Sequence, residues 1–252
     1  MNKPSLPRQF ALDIGHTPKP SLSNFLAGEN LALHSSLLAI AKSWEMSTPR
    51  LANENPLNQR WIYWWGPEGS GRTHLLSAIG NAAQQLGLKC IPLTPNEPIS
   101  WINLEESLPA LSSSVTPSVI TVDDVDRLDE RLVASLFRIL NAIQASEAIH
   151  IFMAGSAAPS ALKLREDLRT RLGWGLIFQT HVLGDDEKIE ALQQAARARG
   201  LVLSSDVMPW LLNRFYRDMP SLMALIDALD AYSLETKRAV TLPLVRELLQ
   251  PK

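Results

Sequence analysis

The sequence has only one cysteine, Cys90, so no disulfide can form within the chain. It contains no uninterrupted apolar run of about 20 residues, which a membrane-spanning helix needs, and its N-terminal segment lacks the apolar stretch of a signal peptide. Positive charge is not in excess either: 24 Lys and Arg residues stand against 26 Asp and Glu residues, whereas DNA-binding domains are usually basic. These absences predict a cytoplasmic protein that contacts no membrane and reaches DNA only indirectly, through partners.

Hydrophobic residues make up 46% of the 252 residues and charged residues 20%, which is typical of a globular chain with a substantial core. Between residues 60 and 180, short apolar runs alternate with helical patterns. The predicted strands are Trp61–Trp65, Lys89–Leu93, Ser118–Val122, His150–Ala154 and Leu176–Thr180, and the predicted helices are the second part of Asn24–Trp44, His74–Leu86 and Glu130–Ala145. This alternation predicts an α/β fold, a parallel sheet with helices on both faces; the segment Pro95–Ser107 is ambiguous.

The pattern changes near residue 185, after which cap residues introduce a series of helices. Asp185–Lys188 supplies a cap and an acidic first turn for a helix that Gly200 can close. Further helix starts are marked by Ser204–Asp206, Pro220 and Thr241–Pro243. We therefore predict a flexible tail at residues 1–20, an α/β domain at 21–182 and a small all-helical lid domain at 183–252.

The segment Gly66–Thr73 fits the pattern G-x-x-x-x-G-K-[ST] of a phosphate-binding loop, with Arg72 in the place of the lysine. In such a loop, glycines let backbone N–H groups approach phosphate oxygens, and the N-terminus of the next helix favours negative charge. A strand before the loop and a helix after it favour this interpretation over a glycine-rich turn without a ligand. The residues predicted to bind the phosphates of a purine nucleotide are Gly66, Pro67, Glu68, Gly69, Ser70, Gly71, Arg72, Thr73 and His74.

Two acidic residues and a serine complete the predicted nucleotide-binding site. The apolar strand before residue 123 ends in Asp123 and Asp124. Asp123 is predicted to hold Mg²⁺ together with the hydroxyl of Thr73, and Asp124 to orient an attacking water; a solvated strand end is the alternative. Ser156, just after the strand His150–Ala154, is predicted to lie beside the γ-phosphate position, although a serine after a strand is commonly a turn residue.

A basic segment near residue 170 carries Arg165, Arg169 and Arg171. Such a segment is commonly the solvated face of a helix. The other interpretation is that one arginine is offered to a nucleotide held by another protein, a role worth on the order of 10³ to 10⁵ in rate. The residues alone leave both interpretations open.

Taken together, these motifs resemble a known family. The glycines of the loop, the pair Asp123–Asp124 and the run Arg171–Gly175 are similar to the AAA+ module of the bacterial replication initiator DnaA, and Phe25–Asn30 fits that family's F-x-x-G-x-N segment on the adenine side. The resemblance begins near residue 20 and includes neither DnaA's long N-terminal region nor its helix-turn-helix domain. This shorter layout is similar to the Hda branch of the family, the regulatory inactivators of DnaA.

The resemblance implies a fold, partners and residue roles. It implies an AAA+ P-loop sheet followed by a helical lid, and it assigns to Arg171 the arginine finger that acts in trans on ATP bound by DnaA. Arginine at the position of Arg72 also occurs in the Hda branch, whose members carry a sliding-clamp-binding peptide of the pattern Q-[LF]-x-L-x-[LI]. Four residues of the tail fit this pattern, namely Gln9, Phe10, Leu12 and Ile14. The implied partners are DnaA and the sliding clamp, the DNA polymerase β subunit; a homodimer is left open.

One departure from the family concerns the lid. The family offers a sensor-2 arginine in a pattern like R-x-[LM]-R-x-L, but Pro220 stands at that position here, and only Arg214 or Arg217 is near enough to replace it. Together with Arg72, this favours a protein that retains a nucleotide, ADP in the leading hypothesis, with weak or no ATPase activity of its own. That hypothesis is a negative regulator of replication initiation. The alternatives are a self-sufficient AAA+ ATPase such as a helicase loader, and a direct DNA-binding regulator.

Overall fold

The computed structural model describes residues 18–45, 60–204, 206–214, 218–236 and 238–249 of the 252-residue chain. These residues divide into two compact units, Lys19–Gly184 and a C-terminal part that begins at Asp185. Each unit has its own apolar core. The predicted clamp-binding residues at 9–14 lie outside the described residues.

The first unit is built on a parallel sheet. Its strands are β1 (Trp61–Trp65), β2 (Lys89–Leu93), β3 (Ser118–Val122), β4 (Ile149–Gly155) and β5 (Leu176–Gln179). They lie in the order β2-β3-β4-β1-β5, and every neighbouring pair is parallel. All residues of β3 and β4 are buried, which explains why these strands are mostly apolar rather than strictly alternating; their buried polar residues are Ser118, Thr121 and His150. The predicted α/β fold is confirmed.

Helices cover both faces of this sheet. On one face pack α1 (Leu31–Glu45) and α2 (Arg72–Gln85), and on the other pack α3 (Pro98–Ser112), α4 (Glu130–Gln144) and the short α5 (Glu166–Leu172). Alternate residues of β1 belong to different cores, because successive side chains of a strand point to opposite faces. Trp61 and Tyr63 join the core under α3 to α5, whereas Ile62 and Trp64 join the core under α1 and α2.

The ambiguous segment of the sequence forms helix α3. Pro98 occupies its first turn, where proline costs no hydrogen bond because the N–H would have no partner in the helix. Buried Trp101, Leu104, Leu108 and Leu111 recur at the spacing of one helical face. Proline is common in turns as well as at helix starts, so Pro98 did not show from the sequence whether this segment is a turn or a helix.

Strand β2 forms one edge of the sheet and contains Pro92. An edge strand presents backbone groups that can pair with another strand. Proline has no backbone N–H to offer, and within sheets it is tolerated mainly in such edge strands. Pro92 therefore suits the edge position of β2.

Cys90, the half-buried thiol of β2, is predicted to be unreactive. Its Sγ lies 3.0 Å from the position that a Cβ would take at Gly80 of α2, and burial raises the pKa of the Cys90 thiol to about 11. Because the thiolate is the reactive form, we expect Cys90 to react with a disulfide reagent at pH 8 about 100-fold more slowly in the folded protein than in urea. Absorbance of the released thiol measures both rates, and equal rates would contradict the prediction.

The second unit is helical in its described residues. Its helices are α6 (Asp185–Ala198), α7 (Val207–Arg214), α8 (Met219–Thr236) and α9 (Leu242–Leu249). Their apolar sides enclose a core that includes Leu192, Leu211, Ile226 and Leu244, so the predicted helical lid is confirmed. Among the described residues, no helix is both long enough and apolar enough to cross a membrane.

An ion pair between a buried arginine and a partly exposed aspartate links the end of α6 to α8. Arg199 follows α6 and has a side chain only 3% exposed. Its Nε donates a hydrogen bond of 2.8 Å to Asp227 of α8, and its Nη1 donates one of 2.7 Å to the carbonyl oxygen of Ala195. A charge buried to this degree needs such a partner, because an isolated one is costly to remove from water.

Candidate functional site

The predicted phosphate-binding loop lies between β1 and α2, at the carboxyl edge of the sheet. Strand β1 ends at Trp65, and α2 begins at Arg72. Gly69 and Gly71 have φ angles of 80° and 85°, in the left-handed region that glycine adopts without strain. The loop therefore turns sharply and brings its backbone to the N-terminus of α2, where N–H groups and the helix dipole favour an anion.

Two side chains lie so close to the loop that its glycines cannot be replaced without movement. A Cβ at Gly66 would lie 2.3 Å from the hydroxyl oxygen of Thr180, and a Cβ at Gly71 would lie 2.6 Å from the ring of Phe25. Phe25 belongs to the F-x-x-G-x-N segment. The sequence predicted these glycines from the needs of the ligand, and the structure adds a second reason, which is close packing within the protein.

Arg72 has unused hydrogen-bonding capacity that fits a phosphate group. Its side chain is only 13% exposed, and its Nη2 lies 3.9 Å from a carboxylate oxygen of Asp124, longer than the 2.7 to 2.9 Å of a charge-assisted hydrogen bond. Its Nη1 is buried and has no hydrogen-bond partner among the described residues. Because a buried unpaired donor is costly, an anion bound in the loop would give this guanidinium the partner that it lacks.

Thr73 and Asp123, the two predicted magnesium ligands, lie together. The Thr73 hydroxyl donates a hydrogen bond of 2.7 Å to Asp123 Oδ2, and the other oxygen of Asp123 accepts one of 2.9 Å from the backbone N–H of Asp124. Mg²⁺ is commonly held by one or two protein oxygens together with phosphates and water. The hydroxyl and the carboxylate therefore fit a magnesium ion that bridges to a bound nucleotide.

Asp124 has an unusual backbone for a residue with a side chain. Its φ of 47° is the only positive value outside glycine among the described residues, and such conformations cluster at functional sites. Its carboxylate lies 3.3 Å from Arg127 as well as near Arg72. Burial and the neighbouring charge of Asp123 raise the pKa of Asp124, and the two arginines only partly oppose this.

Ser156 is paired with Asp126, a residue that the sequence analysis missed. The backbone N–H and the hydroxyl of Ser156 donate to the two carboxylate oxygens of Asp126 at 2.7 and 2.8 Å. Burial acts to raise the pKa of Asp126, but these hydrogen bonds outweigh it and the pKa is lowered. The hydroxyl hydrogen of Ser156 is thus engaged by a carboxylate in this structure. The run Asp-Asp-Val-Asp in the sequence was the available signal for Asp126.

The side chain of His74 is turned to the N-terminal segment rather than into the loop. Its ring packs 5.6 Å from that of Phe25, and its Nε2 lies 3.3 Å from the carbonyl oxygen of Ser21. Burial lowers the pKa of His74, which the contact with Ser21 opposes, so the ring is neutral at physiological pH. Only the backbone N–H of His74, in the first turn of α2, is placed to serve the phosphate site.

The F-x-x-G-x-N segment is attached to the end of β5 through Asn30. This buried side chain accepts a hydrogen bond of 2.7 Å from the backbone N–H of His181 and donates one of 3.0 Å to its carbonyl oxygen. The asparagine of the motif therefore holds the segment in place by pairing with backbone. Nothing in the sequence identified residue 181 as its partner, because the two are 151 positions apart.

Arg171, the predicted finger, is half-buried on α5 and contacts α4, α5 itself and Trp174. Its Nε donates to Asn141 Oδ1 at 2.7 Å, and its Nη1 donates to the carbonyl oxygen of Asp167 at 3.0 Å. The guanidinium carbon lies 4.0 Å from the ring centre of Phe137 and 5.0 Å from that of Trp174, a favourable cation–π arrangement. Among the described residues, Nη2 makes no hydrogen bond, so one side of the guanidinium is fixed and the other is open.

The other two arginines of the basic segment are placed differently. Arg165 is exposed and lies 2.6 Å from Asp167, whereas Arg169 donates to the carbonyl oxygen of Ser160 at 3.2 Å. The partners of Arg171 all belong to α4, α5 and the residues just after α5, and none belongs to the phosphate-binding loop. Neither Phe137 nor Asn141, which lie four residues apart on α4, was predicted from the sequence.

Comparison with known proteins agrees with this architecture. Residues 19–179 match the model of the bacterial DnaA ATPase domain, and residues 185–249 match the model of the Hda lid domain. An uncharacterized protein of Haemophilus influenzae is 32% identical over 247 residues, which cover 96% of this chain and 98% of that protein.

Solved structures share the fold at lower identity. Domain III of the Thermotoga maritima replication initiation protein DnaA has a TM-score of 0.70 and 20% identity, with 92% of this chain and 98% of that chain covered. AMPPCP-bound DnaA from Aquifex aeolicus has a TM-score of 0.65 and 23% identity, with 86% and 67% covered. A variant of Thermotoga maritima RuvB has a TM-score of 0.64 and 17% identity, with 93% and 72% covered. The chain thus has the AAA+ nucleotide-binding fold.

Proposed function

The chain belongs to the DnaA-like AAA+ family and carries an Hda-type lid, and on this premise we propose that it is a cytoplasmic negative regulator of chromosomal replication initiation. In this proposal the protein binds ADP in its own site and binds the DNA-loaded sliding clamp through its N-terminal tail. It then offers Arg171 to ATP held by DnaA, so that DnaA hydrolyses this ATP and becomes inactive.

The protein's own site is suited to holding a nucleotide with Mg²⁺. The loop Gly66–Thr73 would cradle the phosphates, Arg72 would neutralise their charge, and Thr73 and Asp123 would hold the metal. A bound Mg²⁺ supplies positive charge to phosphate oxygens. Ser156 is engaged by Asp126 at 2.8 Å, and Pro220 occupies the second position of α8, where the family has an arginine. These features support retention of ADP with weak or no ATPase activity.

The geometry of Arg171 is the observation that carries the proposed action on DnaA. The guanidinium is held on one side by Asn141 at 2.7 Å and stacked on Phe137, while its Nη2 is open. A side chain prepared in this way loses little further freedom when it meets an oxyanion, and preorganised positive charge is the chief contribution of a finger to phosphoryl transfer. The partners of Arg171 lie outside the protein's own phosphate loop, which supports action on another protein's nucleotide.

The proposal is tested by the hydrolysis of ATP bound to DnaA. DnaA is loaded with labelled ATP and mixed with clamp assembled on DNA, with and without this protein, and the fraction of bound ADP is followed by chromatography. Faster hydrolysis only when clamp, DNA and this protein are all present is the expected result. Hydrolysis at the rate of DnaA alone excludes the proposed function, and steady phosphate release by this protein without DnaA indicates a self-sufficient ATPase instead.

The clamp-binding residues give a separate prediction. A glutamine followed by spaced apolar residues is typical of a peptide that fills a small apolar pocket, where a few anchors provide most of the binding energy. We expect the double substitution Gln9→Ala and Leu12→Ala to weaken binding to immobilised clamp at least about 100-fold, since each hot-spot residue contributes about 2 kcal/mol. Surface plasmon resonance measures the affinity.

The matched control replaces two tail residues outside the hexapeptide, Lys3→Ala with Ser5→Ala, and is expected to bind the clamp as the unsubstituted protein does. Equal loss in both double variants would mean that the tail acts without specificity. Undiminished binding by the Gln9 and Leu12 variant would show that the clamp is recognised elsewhere or not at all.

A further inference from the structure

Thr180 is a fully buried polar residue that lies between β5 and the phosphate-binding loop. Its Oγ1 is 2.8 Å from the hydroxyl oxygen of Ser70 and 3.2 Å from the carbonyl oxygen of Trp65. Its backbone N–H donates to the same carbonyl oxygen at 2.7 Å. Thr180 therefore contacts Trp65 and Gly66, where β1 passes into the loop, and Ser70 within the loop.

Ser70 lies between two glycines of the loop, and its side chain anchors this part of the loop. It stands between Gly69 and Gly71, whose φ angles are 80° and 85°, and it is 4% exposed. Glycine loses more conformational freedom on ordering than any other residue, so a loop with glycines on both sides of Ser70 is ordered only if something holds it. The hydroxyl of Ser70 is directed to Thr180 and to the carbonyl oxygen of Pro67, at 2.8 Å in each case.

Counting hydrogens shows that the two hydroxyls act as one unit. A hydroxyl donates one hydrogen bond, and the 2.8 Å contact between Ser70 and Thr180 requires one of them to donate to the other. If Thr180 donates, the hydrogen of Ser70 goes to Pro67 and the loop closes on itself. If Ser70 donates, the hydrogen of Thr180 goes to Trp65 and the loop is tied to β1. Both arrangements need the hydroxyl of Thr180.

The residue after Thr180 extends this connection to the segment Phe25–Asn30. The side chain of Asn30 pairs with both backbone groups of His181, at 2.7 and 3.0 Å. Residues 180 and 181 are thus held on one side by the phosphate-binding loop and on the other by Asn30. The two elements predicted to face the nucleotide meet at these two positions.

We propose that Thr180 is a positioning residue for nucleotide binding, whose hydroxyl holds Ser70 and thereby keeps the loop in the shape that receives phosphate. Residues 180 and 181 also connect the phosphate-binding loop with the Phe25–Asn30 segment. A nucleotide that orders the loop therefore also makes the Phe25–Asn30 segment more rigid. This inference rests on the proposed nucleotide-binding function and adds to it a residue that touches no ligand.

The test uses the full-length protein with Mg²⁺ and the fluorescent ADP analogue N-methylanthraniloyl-ADP. The rate at which the analogue dissociates is measured from its fluorescence. Thr180→Val keeps the shape of the side chain and removes the hydroxyl, and Thr180→Ser keeps the hydroxyl and removes the methyl group. We expect Thr180→Val to release the analogue about 3- to 10-fold faster, the range that one hydrogen bond contributes, and Thr180→Ser to restore slow release. Ser70→Ala is expected to match Thr180→Val, and the double variant to be no faster than either alone.

A second readout is hydrogen exchange at the backbone N–H groups of Thr180 and His181. In the unsubstituted protein, ADP is expected to slow exchange at both, and in Thr180→Val this protection is lost, whereas a purely structural role would change exchange equally with and without ADP. If Thr180→Val does not fold, Ser70→Ala in the loop provides the same test.

The outcomes separate this inference from the proposed function. If Thr180→Val releases the analogue at the unchanged rate, the role of the hydroxyl pair is overturned. The same holds if the rate increases of the two single variants multiply in the double variant. Neither result contradicts the binding of ADP. Equally fast release by Thr180→Ser and Thr180→Val assigns the effect to the methyl group and overturns it too. Failure of the unsubstituted protein to bind the analogue contradicts both the inference and the proposed nucleotide binding.

Discussion

Replacing Arg171 by alanine is expected to reduce the stimulated hydrolysis of DnaA-bound ATP by about 10³-fold, to the level of DnaA alone, because an arginine finger contributes 10³ to 10⁵ in rate. The substitution removes a guanidinium whose carbon lies 4.0 Å from the ring centre of Phe137 and whose Nε donates to Asn141 at 2.7 Å. Single-turnover chromatography of ATP and ADP on DnaA, with clamp on DNA, gives the rate constant.

The matched control for this substitution is Arg165→Ala. Arg165 directly precedes α5, its guanidinium carbon lies 5.6 Å from the ring centre of Phe137, and its side chain carries the same charge but is 67% exposed. We expect it to retain most of the stimulation, since exposed charges contribute little. If both variants lose activity equally, the segment acts through net charge and the finger assignment to Arg171 is wrong.

Arg171→Ala is also expected to leave the protein's own nucleotide binding intact. The described contacts of Arg171 are with α4, α5 and Trp174, not with the loop Gly66–Thr73. A variant that loses stimulation but releases N-methylanthraniloyl-ADP at the normal rate separates the action on DnaA from the retention of nucleotide. Loss of both would point to misfolding and requires the thermal unfolding curve for comparison.

Asp227→Ala is expected to lower the free energy of unfolding of the C-terminal unit by about 3 to 5 kcal/mol, because it leaves the buried charge of Arg199 without its carboxylate, with only the carbonyl oxygen of Ala195 as acceptor among the described residues. The guanidinium is 3% exposed, whereas the carboxylate is 39% exposed. The cost of breaking the pair therefore depends on which partner is removed. Urea unfolding followed by hydrogen exchange in residues 185–249 measures the effect on this unit alone.

Arg199→Met is the matched variant, with a side chain of similar length and no charge. Asp227 then stays charged but half-exposed to water, so we expect a loss below about 1 kcal/mol, or a gain, as when other buried pairs are replaced by apolar residues. Equal destabilisation by Asp227→Ala and Arg199→Met would mean that the pair contributes a specific attraction rather than relief of a buried charge.

The sequence predicted those parts of the protein in which the local pattern and the final environment agree. Strands β3 and β4 are buried throughout, so their mostly apolar residues identified them. The loop Gly66–Thr73 was predicted from its glycine pattern between a strand and a helix, and Gly66 and Gly71 are also closely packed by Thr180 and Phe25. Helix α3 was missed, since Pro98 is consistent with both a turn and a helix start.

The pairings that support the site are the part that no local pattern predicts. Asn30 pairs with a backbone 151 positions away, and Ser70 pairs with a hydroxyl 110 positions away, so their roles exist only after the sheet has formed. Asp126 pairs with Ser156 across 30 positions. Residues that contact the ligand are constrained by chemistry and recur in motifs, whereas residues that hold them in place are constrained by the packing of one particular chain.

Pro92 in the edge strand β2 limits how copies of this protein can associate. An unprotected edge invites a second copy to add its own strand, which leads from dimers to open-ended aggregates. Because proline interrupts the row of N–H donors along β2, growth of the sheet through that edge is disfavoured. A homodimer, which the sequence left open, is therefore not expected to form by pairing of two β2 strands.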